Sequence, residues 1–143
     1  MKKHMQFFAV ILIFVVSSLA VADYHFVVNK KAGITVLKES EIKSIFLGRK
    51  TMWENGTVIL PCYSNPEEGK IAEFFFSIVK KNHSRFIRYW NKRLFSGQGK
   101  SPLIVNNNEE LLEYVRRNNG AVCLASESLS TLPDNVDLLI IKK

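Results

Sequence analysis

Apolar residues recur at helical spacing in several stretches of the chain. Between Glu68 and Lys81, Ile71, Phe74, Phe75, Ile78 and Val79 fall at i, i+3, i+4, i+7 and i+8, which predicts a helix with one broad buried stripe. Ser84 to Phe95 places Phe86, Tyr89, Trp90 and Leu94 on one side and its arginines and lysines elsewhere, a second helix that Gly97-Gln98-Gly99-Lys100-Ser101-Pro102 breaks. Glu39 to Leu47 carries Ile42, Ile45 and Phe46 before a capping Gly48. In a fourth helix Asn107 is the cap and Glu110 the N3 residue. Its acids Glu109 and Glu113 lie toward the start and Arg116-Arg117 toward the end, matching the helix dipole.

Short β-branched and aromatic runs separate these helices. Tyr24 to Asn29, Thr57 to Cys62, Ala121 to Leu124 and Val136 to Ile141 read as strands, with Pro61 ending the second or placed beside a bulge. Glu54-Asn55-Gly56 is a turn, and Ser126 to Ser130 is expected to form a short helical turn. Strands alternating with helices predict an α/β fold: a single three-layer lobe with a mostly parallel sheet flanked by helices. There are no internal repeats and no linker.

The beginning of the chain has a different character. Phe7 to Val16 is an unbroken apolar run after Lys2 and Lys3, followed by Ser17-Ser18-Leu19-Ala20-Val21-Ala22. The run is about half the length of a spanning helix, and with its charged start and small-residue end it reads as a signal peptide over residues 1–22. The expected domain is then 23–143, exported, with no transmembrane span after cleavage. The whole chain has 20 Lys plus Arg against 13 Asp plus Glu, a net charge of +7. The part after residue 22 stays basic and is large enough to bury a core without a metal.

The residues point to no enzyme. Catalysis needs a nucleophile with its base, a metal set or matched carboxylates, and none stands at an informative spacing. His25 lies in a strand and His83 in a loop, without the His-x-x-x-His or Cys-x-x-Cys pattern of a metal site, so neither a cofactor nor a metal is expected. Glu67-Glu68 and Glu109-Glu110 stand at helix starts, where the dipole favours acids. Asn55-Gly56-Thr57 and Asn82-His83-Ser84 fit the glycosylation acceptor pattern, which matters only in a eukaryotic secretory pathway. Cys62 and Cys123 each lie in an apolar strand. They are either two buried thiols or, in an oxidising compartment, a disulfide closing a 62-residue loop.

Several local patterns taken together carry a resemblance. Val28-Asn29, Ser44-Ile45-Phe46-Leu47-Gly48-Arg49, Trp53 and the Ser-Asn-Pro loop before a Phe-rich helix resemble the phosphate-binding protein of phosphate ABC transporters. Tyr89-Trp90, the stretch from Phe95 to Pro102 and Asn119-Gly120-Ala121-Val122 resemble a group of small exported single-lobe proteins of the same type 2 periplasmic-binding fold. The resemblance implies a bacterial periplasmic location and an anion site in the loop after the second predicted strand. The site residues carried over are Ser64 and Asn65, with Gly69 and Lys70 at the helix start.

The loop departs from the family pattern. Phosphate binders carry Arg-Ser-Asp-Gly-Ser-Gly-Thr here; this chain has Tyr63-Ser64-Asn65-Pro66-Glu67-Glu68-Gly69-Lys70, without the arginine or the Ser-Gly-Thr. Two glutamates where an anion would approach, and one lobe where the family closes two, imply weak binding of phosphate or another oxyanion. The leading expectation is an exported solute-binding-like domain, an oxyanion-binding accessory of an ABC transporter. The alternative is an envelope interaction module that kept the fold without a ligand, docking to an envelope or transporter protein or to itself. A third reading, binding of nucleic acid or an anionic envelope polymer, rests on seven basic residues and no acids from Lys80 to Lys100. The helical spacing of the interleaved aromatics marks them as core and sets that reading behind the others.

Overall fold

The computed structural model describes residues 24–143; the expected signal peptide lies outside the described residues. Six strands and four helices follow in order. They are β1 (His25–Asn29), β2 (Val36–Lys38), α1 (Glu39–Phe46), β3 (Leu60–Ser64), α2 (Gly69–Phe74), α3 (His83–Phe95), β4 (Leu103–Val105), α4 (Asn108–Arg117), β5 (Ala121–Ala125) and β6 (Val136–Lys142). A 3₁₀ turn, Lys30–Ala32, follows β1. The sheet order is β2-β6-β1-β5-β3-β4. Pairs β2–β6, β3–β4 and β3–β5 are parallel, and β1 alone runs against both neighbours.

The two faces of the sheet are packed differently. Phe26, Val28, Tyr63, Val122 and Leu124 face α1, α2 and α3 in a core rich in aromatic rings. Phe74 is its hub, with ring centroids 5.0 Å from Phe46 and 5.3 Å from Phe26, edge to face. The opposite face carries Val27, Cys62, Ala121, Cys123 and Ala125, small enough for α4 to lie over them through Leu111 and Val115. Cys62 and Cys123 are in register on adjacent strands with Cα atoms 4.4 Å apart, and they form a disulfide. The pairing left open by the sequence is thus decided by sheet order: the strands are neighbours although 61 positions separate the cysteines.

Most of the expected helices form, with informative exceptions. The stripe from Ile71 to Val79 is buried throughout, but the segment is not one α-helix. After α2 it widens into a π-helical turn, Phe75–Val79, and stops at Lys80 in the left-handed region (φ 62). In α4, Asn107 caps as expected, its Oδ1 accepting from Glu110 N at 2.8 Å, while the Glu110 carboxylate turns to the Asn106 backbone N–H at 3.1 Å. Ser126 to Ser130 forms no helical turn. It has no apolar stripe to bury, and the Ser126 N–H is engaged by a side chain of α4.

The strand around Pro61 begins later than expected, at Leu60. Thr57 instead closes a hairpin over the Glu54-Asn55-Gly56 turn, its carbonyl accepting from Trp53 N at 2.8 Å. Pro61 neither ends β3 nor bulges it. Leu60 N donates to Gly120 O on the β5 side, so alternation turns the proline nitrogen toward β4, where pairing starts only at Cys62–Leu103. β2 and β4, three residues each, are edge strands that periodicity did not predict.

Two close approaches join segments far apart in sequence. Trp90 stands on the end of α1, where a side chain at Gly48 (φ +72) would overlap its indole ring. There Trp90 Nε1 donates to Phe46 O at 3.0 Å and Tyr89 Oη to Leu47 O at 2.6 Å, satisfying carbonyls that a helix end leaves open. At Gly120 a side chain would overlap the Val58 carbonyl, and Trp53 Nε1 donates to Gly120 O at 3.1 Å.

Candidate functional site

Parallel strands β3, β4 and β5 end at one edge of the sheet, and the segments leaving them enclose a cleft of about 390 Å³. After β3 comes Asn65, held at φ 44, whose carbonyl accepts from Glu68 N at 2.9 Å to close the turn into α2. Asparagine tolerates this left-handed backbone better than most residues. After β4 come Asn107 and Asn108 at the start of α4; after β5 comes Ser126.

Three hydrogen-bond donors converge at the floor of the cleft. Ser64, fully buried and two positions beyond Cys62, points toward α4, and its Oγ donates to Asn108 Oδ1 at 3.0 Å. Ser126 N donates to the same atom at 3.2 Å, and Ser126 Oγ lies 3.4 Å from it, long for a hydroxyl. Because a backbone N–H only donates, the Asn108 atom that faces it must be the carbonyl oxygen. An oxygen of the chain itself therefore occupies a three-donor cradle.

The rim has the opposite character. Glu68, Glu109 and Glu127 border the cleft, and among the described residues no cation lines it. Of the four predicted residues only Asn65 lines the cleft; Ser64 is buried beneath it, bonded to Asn108, and Gly69 and Lys70 do not line it. Gly69 begins α2 facing open space, and Lys70 Nζ is 3.4 Å from Glu73 of its own helix. Asn108 and Ser126 were missed by sequence reasoning. The only signal was an asparagine run before α4 and a serine just past the third of three strands ending on one edge.

Beneath the α3 side of the same edge, Tyr63 Oη and His83 Nε2 share a hydrogen bond of 2.8 Å among the rings of Phe75 and Phe86. Burial raises the Tyr63 phenol well above its ordinary value. It also lowers His83, an effect the Glu67 carboxylate partly opposes. No group of three or more His, Cys, Asp or Glu among the described residues is placed to hold a metal ion.

No family model and no curated protein sequence matches the chain. Solved structures do match it. A Clostridium perfringens protein described as a phosphate ABC transporter substrate-binding protein, solved with phosphate bound, aligns over 82% of this chain at TM-score 0.60 and 18% identity. This is the phosphate-binding-protein fold. An ABC-type phosphate transport receptor from Vibrio cholerae aligns over the same share at 0.51 and 18%, and PstS from Borrelia burgdorferi at 0.57 and 12%. The chain spans less than half the length of each, 44%, 45% and 46% respectively. The resemblance read from the sequence is thus supported in three dimensions, and these neighbours are binding proteins. No helix among the described residues is long and apolar enough to cross a membrane.

Proposed function

We propose that residues 23–143 form an exported, periplasmic solute-binding-type domain that takes up a small oxyanion such as phosphate weakly at the cleft, as an accessory of an ABC transporter. The observation that carries this reading is the convergence of Ser64 Oγ, Ser126 N and Ser126 Oγ on one oxygen. An anion oxygen placed where Asn108 Oδ1 sits meets the same donors, once the Asn108 side chain turns outward.

Three features hold the affinity down. Asn108 must be displaced, three carboxylates repel the incoming charge, and the open cleft of the described lobe leaves the ion partly solvated. Phosphate should therefore bind no tighter than about micromolar, near −8 kcal/mol. Titration calorimetry with inorganic phosphate on the chain beginning at Asp23 tests this. Asn108→Ala should tighten binding by vacating the cradle, and Ser64→Ala should weaken it. A nanomolar constant for the unaltered chain, or indifference to both substitutions, overturns the assignment. Export is checked separately: intact mass of periplasmic material should place the N-terminus at Asp23, and full-length chain recovered from membranes would refute cleavage.

A further inference from the structure

Among the described residues, the cations of the Lys80–Lys100 stretch form no ion pairs. The salt bridges among the described residues are Lys30–Asp137, Lys50–Glu41, Lys70–Glu73, Arg116–Glu113 and Arg117–Glu113, none of them in this stretch. Two of its cations are occupied otherwise. Lys81 Nζ lies 5.5 Å from the Tyr89 ring centroid, and the Arg93 guanidinium stacks 5.5 Å from Tyr89 and 5.4 Å from Trp90. Lys80, Arg85, Arg88, Lys92 and Lys100 remain, all exposed.

These charges share a face with two exposed phenylalanines. Along α3, Arg85, Arg88, Lys92 and Phe95 recur at i, i+3, i+7 and i+10, within about 80° of arc opposite buried Phe86 and Trp90. Phe95, at the end of this row, is 98% exposed. At the other end Arg85 borders a depression of about 390 Å³ with Lys80 and Phe76, and Phe76 is 75% exposed. Its place on the helix explains why: Phe76 falls outside the stripe of Ile71, Phe74, Phe75, Ile78 and Val79 that faces the core. The result is one convex face with a phenylalanine at each end and cations between, roughly 15 Å from Arg85 to Phe95 at helical rise.

We propose that this face docks the protein on a bilayer rich in anionic phospholipids. Phe76 and Phe95 seat at the boundary of headgroups and acyl chains, and Lys80, Arg85, Arg88 and Lys92 lie among the lipid phosphates. Charge complementarity requires an anionic partner, since the stretch has no acid. Shape selects a lipid surface over a nucleic-acid strand. A strand binder needs a groove with aromatic platforms spaced along it, whereas here a convex helix carries its aromatics at the two ends.

Vesicle co-sedimentation tests the proposal on the chain from Asp23, which contains both layers of the core. The expected result is binding to phosphatidylcholine vesicles containing about one third phosphatidylglycerol, and none to phosphatidylcholine alone. Arg88→Glu with Lys92→Glu should lower the bound fraction at least about tenfold, and Phe95→Ser several-fold at raised salt, where screening leaves the apolar contribution. Phe95→Trp should shift its emission to the blue on the anionic vesicles. These residues are exposed, so thermal melts of the variants should match the parent. Equal binding to both vesicle types, no binding, or indifference to Phe95→Ser overturns the proposal. So does tighter, Phe95-dependent binding of a single-stranded oligonucleotide, which would make the face a nucleic-acid platform.

Discussion

The cleft at the strand ends and the outer face of α3 treat polar groups in opposite ways. In the cleft, a buried serine and a strand-end amide point at one spot, and an asparagine of the chain fills it. On α3, Arg85, Arg88 and Lys92 stand in solvent without a carboxylate partner among the described residues, beside phenylalanines exposed to 98% and 75%. A region whose donors already have an internal acceptor gains little from a ligand that must displace it. A region whose charges lack partners gains from any surface that supplies them. The difference separates a weak small-molecule site from a candidate docking face, although the chain's net charge alone would favour anions at both.

The strongest way to break this comparison is to remove what holds α3 in place. Trp90 is buried, bonded to Phe46 O and fitted against Gly48, so Trp90→Ala should destabilise by roughly 3 to 5 kcal/mol. Urea melts measure it. A near-neutral result would mean that Trp90 is an exposed platform and that α3 does not pack on α1 through it.

The cleft rests on a different support. Cys62 and Cys123 tie β3 to β5 just below Ser64 and Ser126, and the loop they close predicts a loss of about 4 kcal/mol on reduction or double substitution with alanine. Because α3 packs on the other face of the sheet, vesicle binding under conditions where the reduced protein is still folded should persist. If it disappears together with the cleft, the two regions are not independent.

How much of this was legible beforehand follows from the range of the forces involved. The buried stripe of Ile71 to Val79, the Asn107 cap and the glycine after α1 are local patterns, and the chain folds according to them. Leu94 is a local pattern that failed: helical spacing placed it with Phe86 and Trp90, yet it is 44% exposed. Trp90 already stands on the end of α1, so the next turn of α3 has run past its support. Arg93, expected in solvent, lies half-buried against Tyr89 and Trp90 instead, with a buried Nε that finds no hydrogen-bond partner. The Cys62–Cys123 bond and the Ser64–Asn108–Ser126 cradle depend on which strands become neighbours. Sheet order is set by tertiary packing, and no pattern of spacing in the sequence encodes it directly.

A pH titration sharpens the comparison on the aromatic side of the strand ends. His83 is held below its ordinary value near 6.5 by burial, so between its folded value and about 6.5 the unfolded chain binds more protons than the folded one. Stability should fall as pH drops through that window and be insensitive to this group above about 7. Tyr63, raised by burial, adds the mirror effect, a loss of stability above about pH 10 as the unfolded phenol ionises. Urea midpoints across the acidic window should decline for the parent and flatten for His83→Asn. A decline of equal slope in that variant would assign the acid sensitivity to other groups.

The smallest expected effect falls on the α3 face itself. Arg88 and Lys92 are exposed and make no salt bridge, so Arg88→Ala with Lys92→Ala should change stability by no more than about 0.5 kcal/mol each. Removing like charges from one helical face could even raise it slightly, since cations at i and i+4 repel. The informative readout is therefore the pair of measurements together. An unchanged urea midpoint with weakened vesicle binding means the two cations act on a partner and contribute nothing to the fold. Destabilisation well beyond that range would mean their stems pack on apolar surface at Leu94 or Ile87, and the contrast with the self-satisfied cleft would lose its basis.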